Sequence, residues 1–145
     1  MKTFILATII TVVIGSSVFA ADATKINFRV LNAFENKFSG ATNVNWSTTE
    51  VYTKAEFELE DEKIEVFFNS DAQMIGVFRK ANIRQLPLSA IQKIKKNYAQ
   101  YQITETLQFE LNGERRYYVS VENGPDKKIL EVSLYGEVTV FDKNK

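Results

Sequence analysis

The sequence predicts an α+β fold: a tandem α-β-β-β-β repeat in which an antiparallel sheet of up to eight strands carries two helices packed on one face. Three observations predict it. Two stretches space their apolar residues at the helical period, eight stretches alternate apolar with polar residues, and the same order of elements is written twice along 145 residues.

The first helical pattern runs from about Phe28 to Ser39, with Val30, Leu31, Phe34 and Phe38 on one face. Asn27 is placed to cap it and Gly40 to stop it. The second opens at Leu86-Pro87, where a proline suits the first turn because its missing N–H would have no partner there. Ile91, Ile94, Tyr98 and Tyr101 form its apolar face. After the first helix come alternating segments at Asn43–Thr49, Tyr52–Glu60, Lys63–Asn69 and Gln73–Arg79. After the second come Ile103–Leu111, Glu114–Glu122, Lys128–Leu134 and Glu137–Asp142. Asn112-Gly113 is a strong two-residue hairpin signal, because both residues tolerate positive φ. Asp61-Glu62 stands in the place expected to match it, and Ser70-Asp71-Ala72 and Tyr135-Gly136 close the last hairpin of each half. Phe38 pairs with Tyr98, 60 residues on, and Phe68 with Leu134, 66 on, so an internal duplication over about 27–81 and 86–143 is the economical explanation. Tight turns between consecutive strands imply antiparallel meanders, and each half has one helix to cover its apolar face. The opposite face is expected to be at least partly open.

The chain opens on Lys2, an apolar run from Phe4 to Ile14 and a softening at Gly15-Ser16-Ser17. Val18-Phe19-Ala20 then supplies small residues where a processing enzyme needs them, which is the pattern of a cleavable secretory signal over 1–20. The run is shorter than the ~20 residues of a spanning helix, so no membrane anchor is expected after processing. No cysteine follows, so lipid attachment at one is excluded. Residues 21–145 are then one ordinary domain, periplasmic or secreted, large enough to bury a core without disulfides. Acidic and basic residues balance at 18 each, and no basic stripe marks a nucleic-acid partner.

Several motifs are familiar in combination. The run Ala33-Phe34 … Phe38 … Ala41-x-x-Val44-x-Trp46 followed by Tyr52-x-x-Ala55-x-Phe57 resembles the PepSY-like family of exported proteins of Bacteroidetes-type bacteria. Phe68 before a turn, Leu86-Pro87 and Tyr118-x-Ser120-Val121 extend the likeness over roughly residues 28–142. The resemblance implies a fold similar to the tandem-repeat β-lactamase inhibitor, with a concave sheet face as the binding surface. PepSY domains proper are associated with restraining secreted peptidases. The chain departs from the family at Asn69-Ser70-Asp71-Ala72, where many relatives carry an Asp-x-x-Gly turn.

With no histidine and no cysteine, neither a Ser-His-Asp or Cys-His arrangement nor a Cys/His zinc site can be built. Ser89 and Lys93, at i and i+4, form the one conceivable Ser–Lys dyad, but no oxyanion donor accompanies them and a helix-start serine beside a solvated lysine accounts for both. Alternation places Glu56, Glu58 and Glu60 on one strand face with Glu65 across the hairpin. Such oxygens suit calcium, yet Lys54 and Lys63 offset them and no calcium loop follows, so a solvated strand face is the reading. No enzyme activity, cofactor or metal is expected.

Aromatic residues carry the most information. Trp46 shares parity with Val44 and reads as core, as do Phe57 with Ala55 and Leu59, and Phe68 with Ile64 and Val66. Tyr52, Phe67 and Tyr118 fall on the opposite parity and Tyr135 in a turn. These four are either anchors of a protein interface on an open sheet face or cross-strand pairs that stabilise the sheet. The expected function is a non-enzymatic exported binding module that engages another exported protein, such as a peptidase. The alternative is an envelope-associated structural protein or a carrier of a small apolar ligand.

Overall fold

The computed structural model describes residues 25–141. The expected signal segment, its processing site after Ala20 and the end of the chain beyond Phe141 lie outside the described residues. Among the described residues the fold is α+β, with eight antiparallel strands that stand in the sheet in chain order and two α-helices. The chain divides into two compact units between Arg79 and Lys80.

In the first unit, α1 (Phe28–Lys37) starts where the Asn27 side chain accepts a hydrogen bond from the Arg29 N–H at 2.9 Å. It ends at Phe38, and Gly40 turns the chain at φ +90° into the edge strand. The meander β1 (Thr42–Thr48), β2 (Thr53–Leu59), β3 (Glu62–Phe68) and β4 (Met74–Lys80) follows. Val30 and Phe34 of the helix pack with Trp46, Ala55, Phe57, Ile64, Val66 and Phe68 as a core. Trp46 and Phe57 meet Phe34 edge-on at centroid distances of 5.1 and 5.0 Å, so the parity that made Trp46 a core residue was the right guide.

The second unit begins with a short 3-10 turn, Ile83–Gln85, held by a capping box at Asn82 that the sequence reading missed. Helix α2 (Leu88–Asn97) comes next, with Pro87 one position earlier than expected, at the cap instead of in the first turn. The strands are β5 (Gln102–Leu111), β6 (Glu114–Asn123), β7 (Asp126–Ser133) and β8 (Val138–Val140). Ala90 and Ile94 cover Tyr117, Val119, Val121, Leu130 and Val132.

The likeness of the two halves is visible in hydrogen bonds more clearly than in side chains. Phe38 N–H donates to the Phe34 carbonyl and Tyr98 N–H to that of Ile94, so the helix ends match at the expected offset. The final turns match at a different one: Asn69 N–H donates to the Gln73 carbonyl and Ser133 N–H to that of Glu137, each at 3.0 Å. This pairing aligns Phe68 with Val132, both buried, in place of the expected Leu134. Two turn assignments also change. Asn112-Gly113, at φ 52° and 82°, joins β5 to β6, whereas the two-residue turn of the first half is Glu60-Asp61, at φ 51° and 65°, between β2 and β3. The two are not repeat equivalents; the counterpart of Glu60-Asp61 by strand order is Gly124-Pro125.

Candidate binding surfaces

Alternation put the right rings on the sheet face away from the helices, but that face does not leave them open. Phe67 and Tyr118 have no exposed surface and Tyr52 retains 4%. Phe67 lies opposite Gly76 in the ladder of β3 and β4. Tyr52 and Phe78 flank it edge-on at 5.2 and 5.6 Å. Tyr118 is likewise flanked by Phe109 and Phe141, at 6.3 and 5.5 Å. Of the two readings open for them, interface anchors or cross-strand pairs, the burial of these three rings fits the second: in each unit aromatic neighbours close over them.

Charged groups stand beside each layer. The Lys54 side chain is mostly buried, and its Nζ pairs with Glu65 at 3.3 Å and Glu56 at 3.6 Å. Glu56 and Glu65 face each other across β2 and β3, so Lys54 neutralises the carboxylates that had suggested a cation site. Glu60 leaves that strand face altogether, for it sits in the β2–β3 turn. In the second unit Arg116 donates to Glu131 at 2.9 Å, and the Tyr118 hydroxyl donates to the same carboxylate at 3.4 Å. Burial first, and the charge of Glu131 second, push the Tyr118 phenol well above its usual range against the pull of Arg116. Burial and Glu65 raise Tyr52 in the same way. Glu105, across from Ser120 on the ladder, is also raised by burial, partly offset by Lys80.

Tyr135 is the exception among the four candidate rings, at 92% exposed. Its turn is held firmly. Ser133 Oγ accepts from the N–H groups of Tyr135 and Glu137, each at 3.2 Å. Lys93 Nζ donates to the Gly136 carbonyl at 2.9 Å. A Cβ placed on Gly136 would fall 1.9 Å from Ser89 Oγ. The pair once weighed as a catalytic dyad therefore braces this turn, with the lysine committed to a carbonyl. Leu134 at 50% and Tyr135 stand side by side as exposed apolar residues of this turn, and Leu88, 70% exposed, precedes Ser89 on the helix.

A concavity lies in the first unit, between α1 and the edge strand β1. It holds about 420 Å³ and is lined chiefly by Leu31, Phe34, Phe38, Val44 and Trp46, with Glu35 the one charged residue. Sequence reasoning assigned most of these side chains to the core and so gave no sign of a groove; Leu31, Phe38 and Val44 are only half-buried. Among the described residues no helix is long and apolar enough to cross a membrane.

This architecture is that of a β-lactamase-inhibitor-like fold. The chain is similar to a DUF2874 family protein from Bacteroides uniformis, at 19% identity and TM-score 0.71, covering 78% of this chain and 86% of that one. It is similar also to a BLIP-like protein from Bacteroides fragilis, at 22% identity and TM-score 0.68, over 82% and 89%. A protein from Bacteroides eggerthii provisionally assigned to the periplasm aligns at 16% identity and TM-score 0.68, over 83% and 86%. No family model and no curated protein matches the sequence.

Proposed function

We propose that this chain is an exported, non-enzymatic binding module that engages another exported protein through the corner built on Leu134-Tyr135. The observation that carries the reading is the braced turn, in which four hydrogen-bonding or steric constraints hold a tyrosine that packs on little of its own chain. Large apolar residues clustered on a rigid exposed feature are the usual currency of protein recognition, and a preordered ring loses little entropy on docking. The BLIP-like and provisionally periplasmic neighbours support the same class of role. Within it, the likeness to PepSY-like proteins favours a secreted peptidase as the partner, with export directed by residues 1–20. Tyr52, Phe67 and Tyr118 then serve as the stiff backing of the sheet face, and Tyr135 as the contact.

Photo-crosslinking tests this. With a benzophenone amino acid at position 135 in the native host, a discrete protein adduct is expected. The same probe at Asn97, exposed at the end of α2, should give none. No adduct from 135, or the same adducts from both positions, would overturn the reading. A carrier of a small apolar ligand is the second reading, favoured by the groove between α1 and β1.

A further inference from the structure

We infer that the α1–β1 groove is a binding site for a small organic cation with an apolar, preferably aromatic, body; the inference deepens the carrier reading and is independent of the corner at Tyr135. Its size falls within the range of small-molecule sites, which are mostly apolar clefts with a few placed polar groups. Here the polar contribution has one sign. Glu35 is exposed on the rim and forms no ion pair or hydrogen bond among the described residues. Four other acids of this unit are engaged, Glu58 accepting from Asn43, Glu56 and Glu65 pairing with Lys54, and Glu62 pairing with Arg79, while Glu50, Glu60, Asp61 and Asp71 are not among the lining residues. The groove also runs to the C-terminal end of α1, where backbone carbonyls present partial negative charge. Lys37 of the last turn is exposed and is not among the lining residues.

The walls fit the same ligand. Phe34, Phe38 and Trp46 line one cleft, with Phe34–Phe38 centroids 5.4 Å apart and Phe34–Trp46 5.1 Å apart. Aromatic faces attract cations as well as apolar groups. An anionic ligand of the same shape would meet the Glu35 carboxylate and the helix C-terminus, both repulsive to it. Charge complementarity thus selects an amine over an acid or a neutral body.

Trp46, the single tryptophan of the chain, lines the site and reports on it without a label. Its emission is to be titrated with 4-phenylbutylamine, 4-phenylbutanol and 4-phenylbutyrate, which share a body and differ in charge. The amine should give a saturable change and bind at least about fivefold tighter than the alcohol, the upper scale of one partly exposed ion pair, with the acid weakest. Glu35→Gln, on the exposed helix surface, should bring amine and alcohol together. Ala41→Leu, which fills the groove from its end, should abolish binding while circular dichroism shows a folded protein. Equal binding of all three compounds, or an amine preference that survives Glu35→Gln, would overturn the cation inference and leave the carrier reading standing. Failure of every compound to bind, or binding undiminished in folded Ala41→Leu, would remove both.

Discussion

The turns that end the two halves are built to one hydrogen-bond plan and finished with different residues. Residues 69–73 and 133–137 each close with an N–H to carbonyl bond between first and last residue, a second bond back to the first residue, and a side-chain oxygen that accepts two backbone N–H groups. Asn69 supplies that oxygen in one and Ser133 in the other. At the tip, however, Ser70-Asp71 stands in the first turn and Leu134-Tyr135 in the second. One hydrogen-bond plan thus carries a polar tip in one half and an apolar, outward tip in the other, the difference on which the proposed contact at Tyr135 rests. A tip that only closed a hairpin would be served by the polar pair.

The largest effects should separate rings that back the sheet from the ring at the tip. Phe67→Ala should cost about 3–5 kcal/mol in urea unfolding, because it opens a cavity between Tyr52 and Phe78. Trp46→Ala should fall in the same range, and the native protein should show blue-shifted emission that moves red on unfolding. Tyr135→Ser should stay within about 0.5 kcal/mol of the parent, as exposed positions do. If Phe67→Ala proves as mild as Tyr135→Ser, the second apolar layer does not contribute as its burial requires.

A smaller effect concerns pH. The folded state holds the Tyr118 proton to higher pH than the unfolded chain does. Above the ordinary tyrosine value, near 10, the unfolded state therefore binds fewer protons, and stability falls as pH rises, by up to about 1.4 kcal/mol per unit for one such group. Tyr52 acts in the same direction. Tyr118→Phe should flatten the decline measured by chemical denaturation between pH 9.5 and 11; an unchanged slope would place the alkaline loss elsewhere.

Much of this was legible in the chain. Period, parity and turn chemistry located all eight strands within a residue or two at most ends and assigned Trp46, Phe57 and Phe68 to the core. Parity also turned Phe67 and Tyr118 away from the helices. It says nothing of the neighbouring rings, which is why the anchor and cross-strand readings both stayed open: Tyr52 and Phe78, not Phe67 itself, decide that the ring is covered. The corner at Tyr135 was half legible. The residue was singled out, but its bracing by Ser89 and Lys93 depends on a helix more than 40 positions away in sequence. The groove was not legible at all, since half-buried and fully buried apolar residues have one signature in a pattern.

The finest comparison lies in one atom of each turn. The fourth residue of both turns has positive φ, 60° at Ala72 and 79° at Gly136. An L-residue in this region costs roughly 1–2 kcal/mol, which glycine avoids. Ala72 bears that strain because its methyl group packs against the first core. Gly136 has no such outlet: a Cβ there meets Ser89 Oγ and then lies 3.2 Å from Ser89 Cβ. The hydroxyl can rotate away, but the Cβ moves only with the helix start. Gly136→Ala should therefore destabilise by about 1–2 kcal/mol, by the cost of positive φ with some crowding added. Ala72→Gly should have the opposite sign and smaller size, about 0.5 kcal/mol of stabilisation, since relief of strain is offset by a more flexible unfolded chain and a lost methyl contact. Urea midpoints of the two single variants decide the matter. Two changes of the same sign would show that the turns, despite their common hydrogen bonds, do not share one backbone conformation under one set of constraints.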